Sequence, residues 1–299
     1  MEIKTWISAF RLRTLPLALA CIGMGGFLAA SQQAFRWDIF LLCVFTTIFL
    51  QILSNLANDY GDSIHGADHA GRKGPSRAVQ SGAITPEKMR MALFLFIGLC
   101  LASGLWLLWT AFGFNWSAFL FFFGLGLLSI LAAIAYTVGK KPYGYAGLGD
   151  ISVLIFFGVV GVMGSVYLFT HQIVPTQLLP ALSCGFFSMG VLNLNNIRDI
   201  ESDREAGKFS IPVRIGHENA IRYHWFLIVG GIVSAIVFTV LTYQSPWQLL
   251  FLITGPLFIK NGLVVQQKSS AELDPYLKQL ALSTLLFVLL FGIGLLLAA

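Results

Sequence analysis

Long apolar runs alternate with short polar segments along the whole chain of 299 residues. A helix needs about 20 apolar residues to cross the hydrocarbon core of a bilayer. Runs near that length predict nine transmembrane helices, over residues 15–30, 39–57, 91–112, 118–136, 148–169, 178–194, 225–241, 247–264 and 280–298. The eighth span is the least regular of the set, because Gly255, Pro256 and Lys260 interrupt it.

The composition supports this interpretation. Hydrophobic residues make up 57% of the chain and charged residues only 11%, and the mean hydropathy is +0.78. A water-soluble domain needs far more charge to cover its surface. We therefore predict an all-α, polytopic membrane protein, with residues 1–299 forming a single membrane domain in contact with lipid.

The basic residues predict the orientation, because loops rich in Lys and Arg stay on the cytoplasmic side. If the N-terminus is cytoplasmic, 18 of the 19 Lys and Arg residues lie on that side and only Arg36 lies outside. We expect a multi-pass protein of the bacterial inner membrane whose long polar loops, after the second and sixth spans, face the cytoplasm and carry the function. The net charge of +5 is explained by topology, and no nucleic-acid partner is needed.

Half of the 14 acidic residues are concentrated directly after the second and sixth spans. They are Asp59, Asp62 and Asp68 in the first stretch and Asp199, Glu201, Asp203 and Glu205 in the second. A carboxylate at the negative end of a helix dipole is disfavoured by up to about 1 kcal/mol. A positive partner is therefore expected at both helix ends.

The spacing of these acids indicates what that partner is. Asn58 and Asp62 are four residues apart, as are Asn195 and Asp199, and Asp199 and Asp203, so each set projects from one helical face. A few hard oxygen ligands per helix, with room for water and phosphate oxygens, suit Mg²⁺ bound to a diphosphate. The alternative is that these residues only cap helix ends at the membrane interface.

Basic residues flank both acidic stretches and offer contacts for phosphate oxygens. Arg77 and Lys208 are the favoured candidates, with Arg72, Lys73, Arg198 and Arg214 nearby. Retention of positive charge in cytoplasmic loops would explain most of them equally well.

A third segment on the same side, residues 136–150, is rich in Gly, Tyr and charge, which is typical of a shaped loop. Lys141, Tyr143 and Asp150 are candidates for handling a substrate proton, and no spacing rule selects among them. Asp150 begins the fifth span, where stabilisation of the carboxylate by the helix dipole is an equally good explanation.

The sequence resembles the UbiA superfamily of intramembrane prenyltransferases, and within it the 1,4-dihydroxy-2-naphthoate polyprenyltransferase branch of menaquinone biosynthesis. The resemblance spans nearly the whole chain and is carried by residues 13–16, 55–68, 74–82, 142–149 and 195–208. In the general family pattern, Asn-Asp-x-x-Asp is followed by another Asp four residues on. Here Gly66 occupies that position and Asp68 is the extra acid, a spacing that resembles the naphthoate branch.

This resemblance implies nine helices around a central cavity that opens toward lipid, and dependence on Mg²⁺. The expected metal ligands are Asn58, Asp59, Asp62, Asp68, Asn195, Asp199 and Asp203. The expected diphosphate contacts are Arg77, Lys208, Arg198, Asn58 and Asn196. Asp62, Asp199 and Asp203 are the expected catalytic acids, with Lys141, Tyr143 or Asp150 acting on the acceptor.

The expected reaction joins a polyprenyl group from polyprenyl diphosphate to 1,4-dihydroxy-2-naphthoate, with loss of CO₂, and gives demethylmenaquinol. One alternative within the enzyme class is a different acceptor, such as 4-hydroxybenzoate or homogentisate. A less favoured alternative is a cation-coupled transporter, whose acids should lie near the middle of the bilayer rather than at helix ends.

Overall fold

The computed structural model describes residues 3–66 and 77–299, so the predicted metal ligand Asp68 lies outside the described residues. The helices are α1 (Ile3–Phe10), α2 (Leu15–Ser31), α3 (Trp37–Ile64), α4 (Pro86–Phe112), α5 (Trp116–Ala135), α6 (Gly149–Thr170), α7 (Leu178–Arg198), α8 (Ile200–Glu205), α9 (Ile211–Ile215), α10 (His217–Leu241), α11 (Pro246–Gln267) and α12 (Asp274–Ala298).

Within residues 3–66 and 77–299, nine helical segments are long and apolar enough to cross a membrane, which confirms the predicted number of spans. The two helices that carry the acids are longer than predicted. α3 continues to Ile64 and α7 to Arg198, beyond the predicted ends at residues 57 and 194. Asn58, Asp59 and Asp62 therefore lie within the last turns of α3 rather than after it. Once a helix has formed, it can propagate through polar residues beyond the apolar region, because each added residue forms one more hydrogen bond.

Two spans depart from regular α-helix. Residues Leu154–Gly164 of α6 form a π-helix, which the apolar pattern does not predict. In α11, a 3₁₀-helix over Pro246–Thr254 precedes an α-helix over Gly255–Gln267. Pro256 lies in the first turn of that α-helix, where its missing N–H is tolerated, so the interruption seen in the sequence marks the change of helix type.

The described helices pack around three hydrophobic cores. One core joins α2, α6, α7, α10, α11 and α12, and at its centre the rings of Phe187 and Phe258 stack with centroids 4.3 Å apart. A second core joins α1, α3, α4 and Ile130 of α5 to residues 78–84. A third core joins α2, α3, α4 and the end of α6. Along α5, among the described residues, only Ser129 and Ile130 are buried. Most of α5 therefore faces the lipid or a cavity between the helices.

Candidate active site

A cavity of about 440 Å³ lies between the helices. Its walls include residues of α2, α3, α4, α5, α6, α7 and α12. Polar residues line the end where α3 and α7 finish, and apolar residues such as Leu105, Leu108, Phe122 and Leu168 line the walls toward the opposite ends of α4, α5 and α6. The cavity thus has a charged end and an apolar remainder, as an amphipathic substrate requires.

The two acidic helix ends meet at the charged end. Asp62 of α3, Asp199 after α7 and Asp203 of α8 all line the cavity, together with Lys208. The Lys208 ammonium lies 3.4 Å from the Asp203 carboxylate. Tyr145 joins this group, because its hydroxyl donates to the Asp62 carboxylate over 2.9 Å and its ring lies under Lys208. The expectation that both acidic stretches share one pocket agrees with this arrangement.

The buried charges at this end of the cavity change the pKa values of Asp203 and Lys208. The pKa of Asp203 is raised to about 6, because burial and the carboxylates of Asp199 and Asp62 raise it by more than Lys208 lowers it. Burial also lowers the pKa of Lys208, but the carboxylates of Asp203, Asp62 and Asp199 more than offset this, and the pKa lies above its usual range. Lys208 therefore lies in the field of three carboxylates, of which Asp203 is its direct partner and Asp199 is also paired with Arg198.

The donor set fits a divalent cation that retains other ligands. In the described part of the chain, the buried Oδ2 of Asp203 has no hydrogen-bond partner, which leaves a desolvated anionic acceptor. No three His, Cys, Asp or Glu side chains of residues 3–66 and 77–299 form a ready-made metal cluster. Such a site suits Mg²⁺, which keeps several waters or phosphate oxygens and binds to few protein carboxylates.

Asn58 and Asn195, which precede Asp62 and Asp199 by four residues, also line the cavity. The Thr137 hydroxyl lies 3.2 Å from Oδ1 of Asn58, and the Arg198 guanidinium donates to Oδ1 of Asn195 over 2.8 Å. Both amides are therefore held by a second residue at the charged end.

Asp59 is placed differently from its predicted role as a metal ligand. It is buried outside the cavity, and its two carboxylate oxygens accept from the backbone N–H groups of Ala78 and Val79, over 3.1 and 3.2 Å. These bonds fasten the segment that begins at Arg77 to α3. Arg77 itself lines the cavity, so Asp59 positions a predicted diphosphate contact.

Two predicted diphosphate contacts do not line the cavity. Arg198 is 1% exposed, and its guanidinium is occupied by Asp199, Asn195 and Asp274. Asn196 is buried, and within the described ranges its Oδ1 has no hydrogen-bond partner. Consecutive residues of a helix point in different directions, so Asn196 faces away when Asn195 faces the cavity.

The three residues predicted to act on the acceptor lie in different places relative to the cavity. Tyr143 lines the cavity, and its hydroxyl bonds to the Ala132 carbonyl and the Ser152 hydroxyl, each over 2.9 Å. Burial raises the pKa of Tyr143, so its hydroxyl stays protonated at neutral pH. Lys141 is exposed, and Asp150 is buried off the cavity, where it accepts from the Tyr223 hydroxyl over 3.0 Å.

Sequence reasoning did not single out Tyr145 or Asp274. Tyr145 lies in a segment noted for its Gly and Tyr content, but its contact with Asp62 joins residues 83 positions apart. Asp274 lies far along the chain from both acidic stretches and belongs to neither. Local spacing carries no signal for either residue.

Comparison with known proteins agrees with the fold. The profile described as the UbiA prenyltransferase family matches residues 18–283. The chain belongs to this family. A 1,4-dihydroxy-2-naphthoate octaprenyltransferase of Escherichia coli (strain K12) is 46% identical to this UbiA family member, over 99% of this chain and 96% of the relative.

Solved structures share the UbiA fold. A UbiA homolog from Aeropyrum pernix K1 has a TM-score of 0.68 at 15% identity, over 99% of this chain and 98% of that one. A UbiA homolog from Archaeoglobus fulgidus bound to GPP and Mg²⁺ has a TM-score of 0.63 at 16% identity, over 96% of this chain and 99% of that one. The predicted family is confirmed, and so is the all-α fold, with nine spans in the part of the chain that the structure describes.

The charged end depends on a close approach at Gly61. A Cβ atom at this position would lie 2.6 Å from the backbone and side chain of Thr137, which contacts Ala57 and Asn58. Gly61→Ala should push the end of α3 away and misplace Asp62, with a loss of about 10²-fold in prenyl transfer for a shift of about 1 Å. Steady-state assays should detect this loss, whereas Gly98→Ala in α4, where a Cβ meets nothing within 4 Å, should keep near wild-type activity.

Proposed function

We propose that this protein transfers a polyprenyl group from polyprenyl diphosphate to 1,4-dihydroxy-2-naphthoate in a reaction that depends on Mg²⁺. The observation that carries the proposal is the meeting of Asp62, Asp199 and Asp203 around Lys208 at the charged end of a largely apolar cavity. The choice of acceptor is supported by the 46% identity to the octaprenyltransferase of Escherichia coli (strain K12).

In this proposal, Asn58, Asp62, Asn195, Asp199 and Asp203 would hold the metal from the cavity wall, and Asp59 would position Arg77. Asp68, which lies outside the described residues, stays a predicted ligand. When bound, Mg²⁺ supplies positive charge to the departing diphosphate. Arg77 and Lys208 bind the same diphosphate from the protein side, which lowers the energy of breaking the allylic C–O bond. The electron pair of that bond leaves with the diphosphate.

The apolar walls have two functions. They bind the isoprenoid tail and exclude water from the allylic cation that remains once the diphosphate departs. The cation then forms a C–C bond with the ring carbon that bears the carboxylate. The C–CO₂ bond breaks, its electron pair restores the aromatic ring, and the phenolic proton released during attack is returned, which gives demethylmenaquinol, CO₂ and diphosphate.

Among the three acceptor-side candidates, we favour Tyr143, because its hydroxyl is the one on the cavity wall. Its hydroxyl donates to the Ala132 carbonyl and contacts the Ser152 hydroxyl, so it can accept a hydrogen bond from a naphthoate hydroxyl, or donate to a naphthoate oxygen in place of Ala132. Lys141 and Asp150 would need to move to reach a substrate in the cavity.

We further propose that the charged end faces the cytoplasm of a bacterium and that residues 1–299 act as a single membrane domain. The positive-inside distribution of Lys and Arg supports this orientation. Polyprenyl diphosphate would then place its charged group at the cytoplasmic surface and its tail among the helices. A transporter is less well supported, because the acids lie at helix ends rather than mid-span.

The test offers membranes that contain the protein an allylic diphosphate with equal amounts of 1,4-dihydroxy-2-naphthoate and 4-hydroxybenzoate, with Mg²⁺ or with EDTA. Mass spectrometry should detect a prenylated naphthoquinol that has lost its carboxyl group, formed only with Mg²⁺. Membranes without the protein give the background. A prenylated 4-hydroxybenzoate, or a naphthoate product that keeps its carboxyl group, would contradict the proposed acceptor or the proposed decarboxylation.

A further inference from the structure

Arg198 is the largest side chain that is fully buried in the described part of the chain. Its Nε and Nη2 atoms donate to the two oxygens of Asp199 over 2.9 and 2.7 Å. Nη2 also donates to Asn195 over 2.8 Å. Arg198 therefore fixes two cavity-lining residues at once, and it does so from outside the cavity.

A second carboxylate occupies the remaining side of this guanidinium. Nη1 of Arg198 donates to Oδ1 of Asp274 over 2.5 Å. The other oxygen of Asp274 accepts from Arg13 over 2.7 Å. Asp274 begins α12, so it links the C-terminal helix and the segment before α2 to the end of α7.

The charges in this network decide how strongly Asp199 can bind a cation. The two arginines and the two aspartates balance, so the positive charge of Arg198 is shared between Asp199 and Asp274. Without the Asp274 charge, the four groups would carry an excess of one positive charge, spread over Arg198 behind Asp199 and Arg13 on the cavity wall. That excess would oppose a divalent cation in the cavity and would pull the carboxylate toward the guanidinium.

We infer that Asp274 is a positioning residue for the metal site. Its carboxylate accepts a hydrogen bond from the side of Arg198 that faces away from Asp199. The Asp199 carboxylate thereby stays oriented toward the cavity and keeps its negative charge. This inference rests on the proposed function, in which Asp199 binds Mg²⁺. Asp274 does not line the cavity, and so it acts only through Arg198 and Arg13.

Two pairs of side chains of equal shape separate the effect of charge from the effect of packing. Asp274→Asn keeps the shape of the wild-type side chain and removes its charge, and Asp274→Gln does the same relative to Asp274→Glu. The Asp274 side chain is 27% exposed, so the neutral amides are tolerated without the cost of a fully buried polar group. Glu272→Gln is a matched control, because Glu272 precedes Asp274 by two residues and pairs on the exposed surface with Lys268.

Two measurements are made on the purified full chain in detergent. The first is the Mg²⁺ concentration that gives half-maximal prenyl transfer. The second is the rise in melting temperature on titration with Mg²⁺ in the presence of inorganic diphosphate. We expect both midpoints to increase about 10-fold to 100-fold in Asp274→Asn, as is typical when a group behind a metal ligand is removed, with a smaller change in kcat at saturating Mg²⁺. Asp274→Glu and Glu272→Gln should lie near the wild type.

The inference is overturned if Asp274→Asn shows the same Mg²⁺ midpoints as Glu272→Gln, or if Asp274→Glu is as impaired as Asp274→Gln. It is also overturned if both amide variants fail to fold while the acidic variants fold, because Asp274 would then be needed for folding rather than for the metal site. Failure of the proposed function looks different: the wild-type protein itself would show no response to Mg²⁺ in either measurement.

Discussion

Asp203→Asn should reduce kcat for prenyl transfer by on the order of 10²–10³-fold, the usual cost of removing one preorganised charged group from a reaction centre. Asp203 is 4% exposed and contacts Lys208, and its second oxygen has no hydrogen-bond partner in the described residues. Asparagine keeps the size of the side chain but cannot supply the charge that holds a cation in this pocket. Initial rates across a range of Mg²⁺ concentrations measure the effect.

Glu205→Gln is the matched control for this change, because Glu205 lies on the same short helix α8 and is exposed. It should retain wild-type rates. Wild-type activity in Asp203→Asn at low Mg²⁺ would show that Asp203 is not a metal ligand, and equal losses in both variants would show that α8 itself had been disturbed.

The membrane spans could be predicted because bilayer thickness sets one length for every span. The ends of α3 and α7 could not, because hydropathy marks where a chain leaves the apolar region and not where its hydrogen bonds stop. The π-helical part of α6 was missed for a related reason. Gly158 of α6 lies against the backbone of α7, and a Cβ there would meet the Ala181 carbonyl oxygen at 2.8 Å, which is a tertiary contact that periodicity does not contain.

Within the site, the sequence spacing predicts which helix faces carry acidic residues. It does not predict which neighbouring residues also face the cavity. Asn58 and Asp62 share a face and both line the cavity, whereas Asp59 is rotated toward residues 78 and 79. Arg198 and Lys208 are equivalent in the sequence as basic residues beside acids. Only the fold shows that Arg198 is buried behind Asp199 while Lys208 reaches the cavity.

Lys208→Met should have the second large effect, on both activity and stability. The ammonium lies close to Asp203, Asp62 and Asp199, so its removal leaves the buried carboxylates of Asp203 and Asp62 without this cation, next to Asp199, which stays paired with Arg198. Loss of one partner from a buried ion pair costs about 3–5 kcal/mol, and the melting temperature in EDTA should fall accordingly. Prenyl transfer should fall by on the order of 10²-fold or more, because the proposed cationic contact to the departing diphosphate is lost.

Metal ions give this prediction its sharpest test, since Mg²⁺ can replace part of the missing charge. Differential scanning fluorimetry in detergent should show that the deficit in melting temperature of Lys208→Met is largest in EDTA and shrinks as Mg²⁺ and inorganic diphosphate are added, while activity does not recover. Lys88→Met, which removes an exposed lysine from the start of α4, should change neither quantity. A stability deficit in Lys208→Met that is the same with and without Mg²⁺ would mean that the three carboxylates do not bind the ion together, because a cation bound among them must relieve the repulsion that the lysine relieves in the wild type.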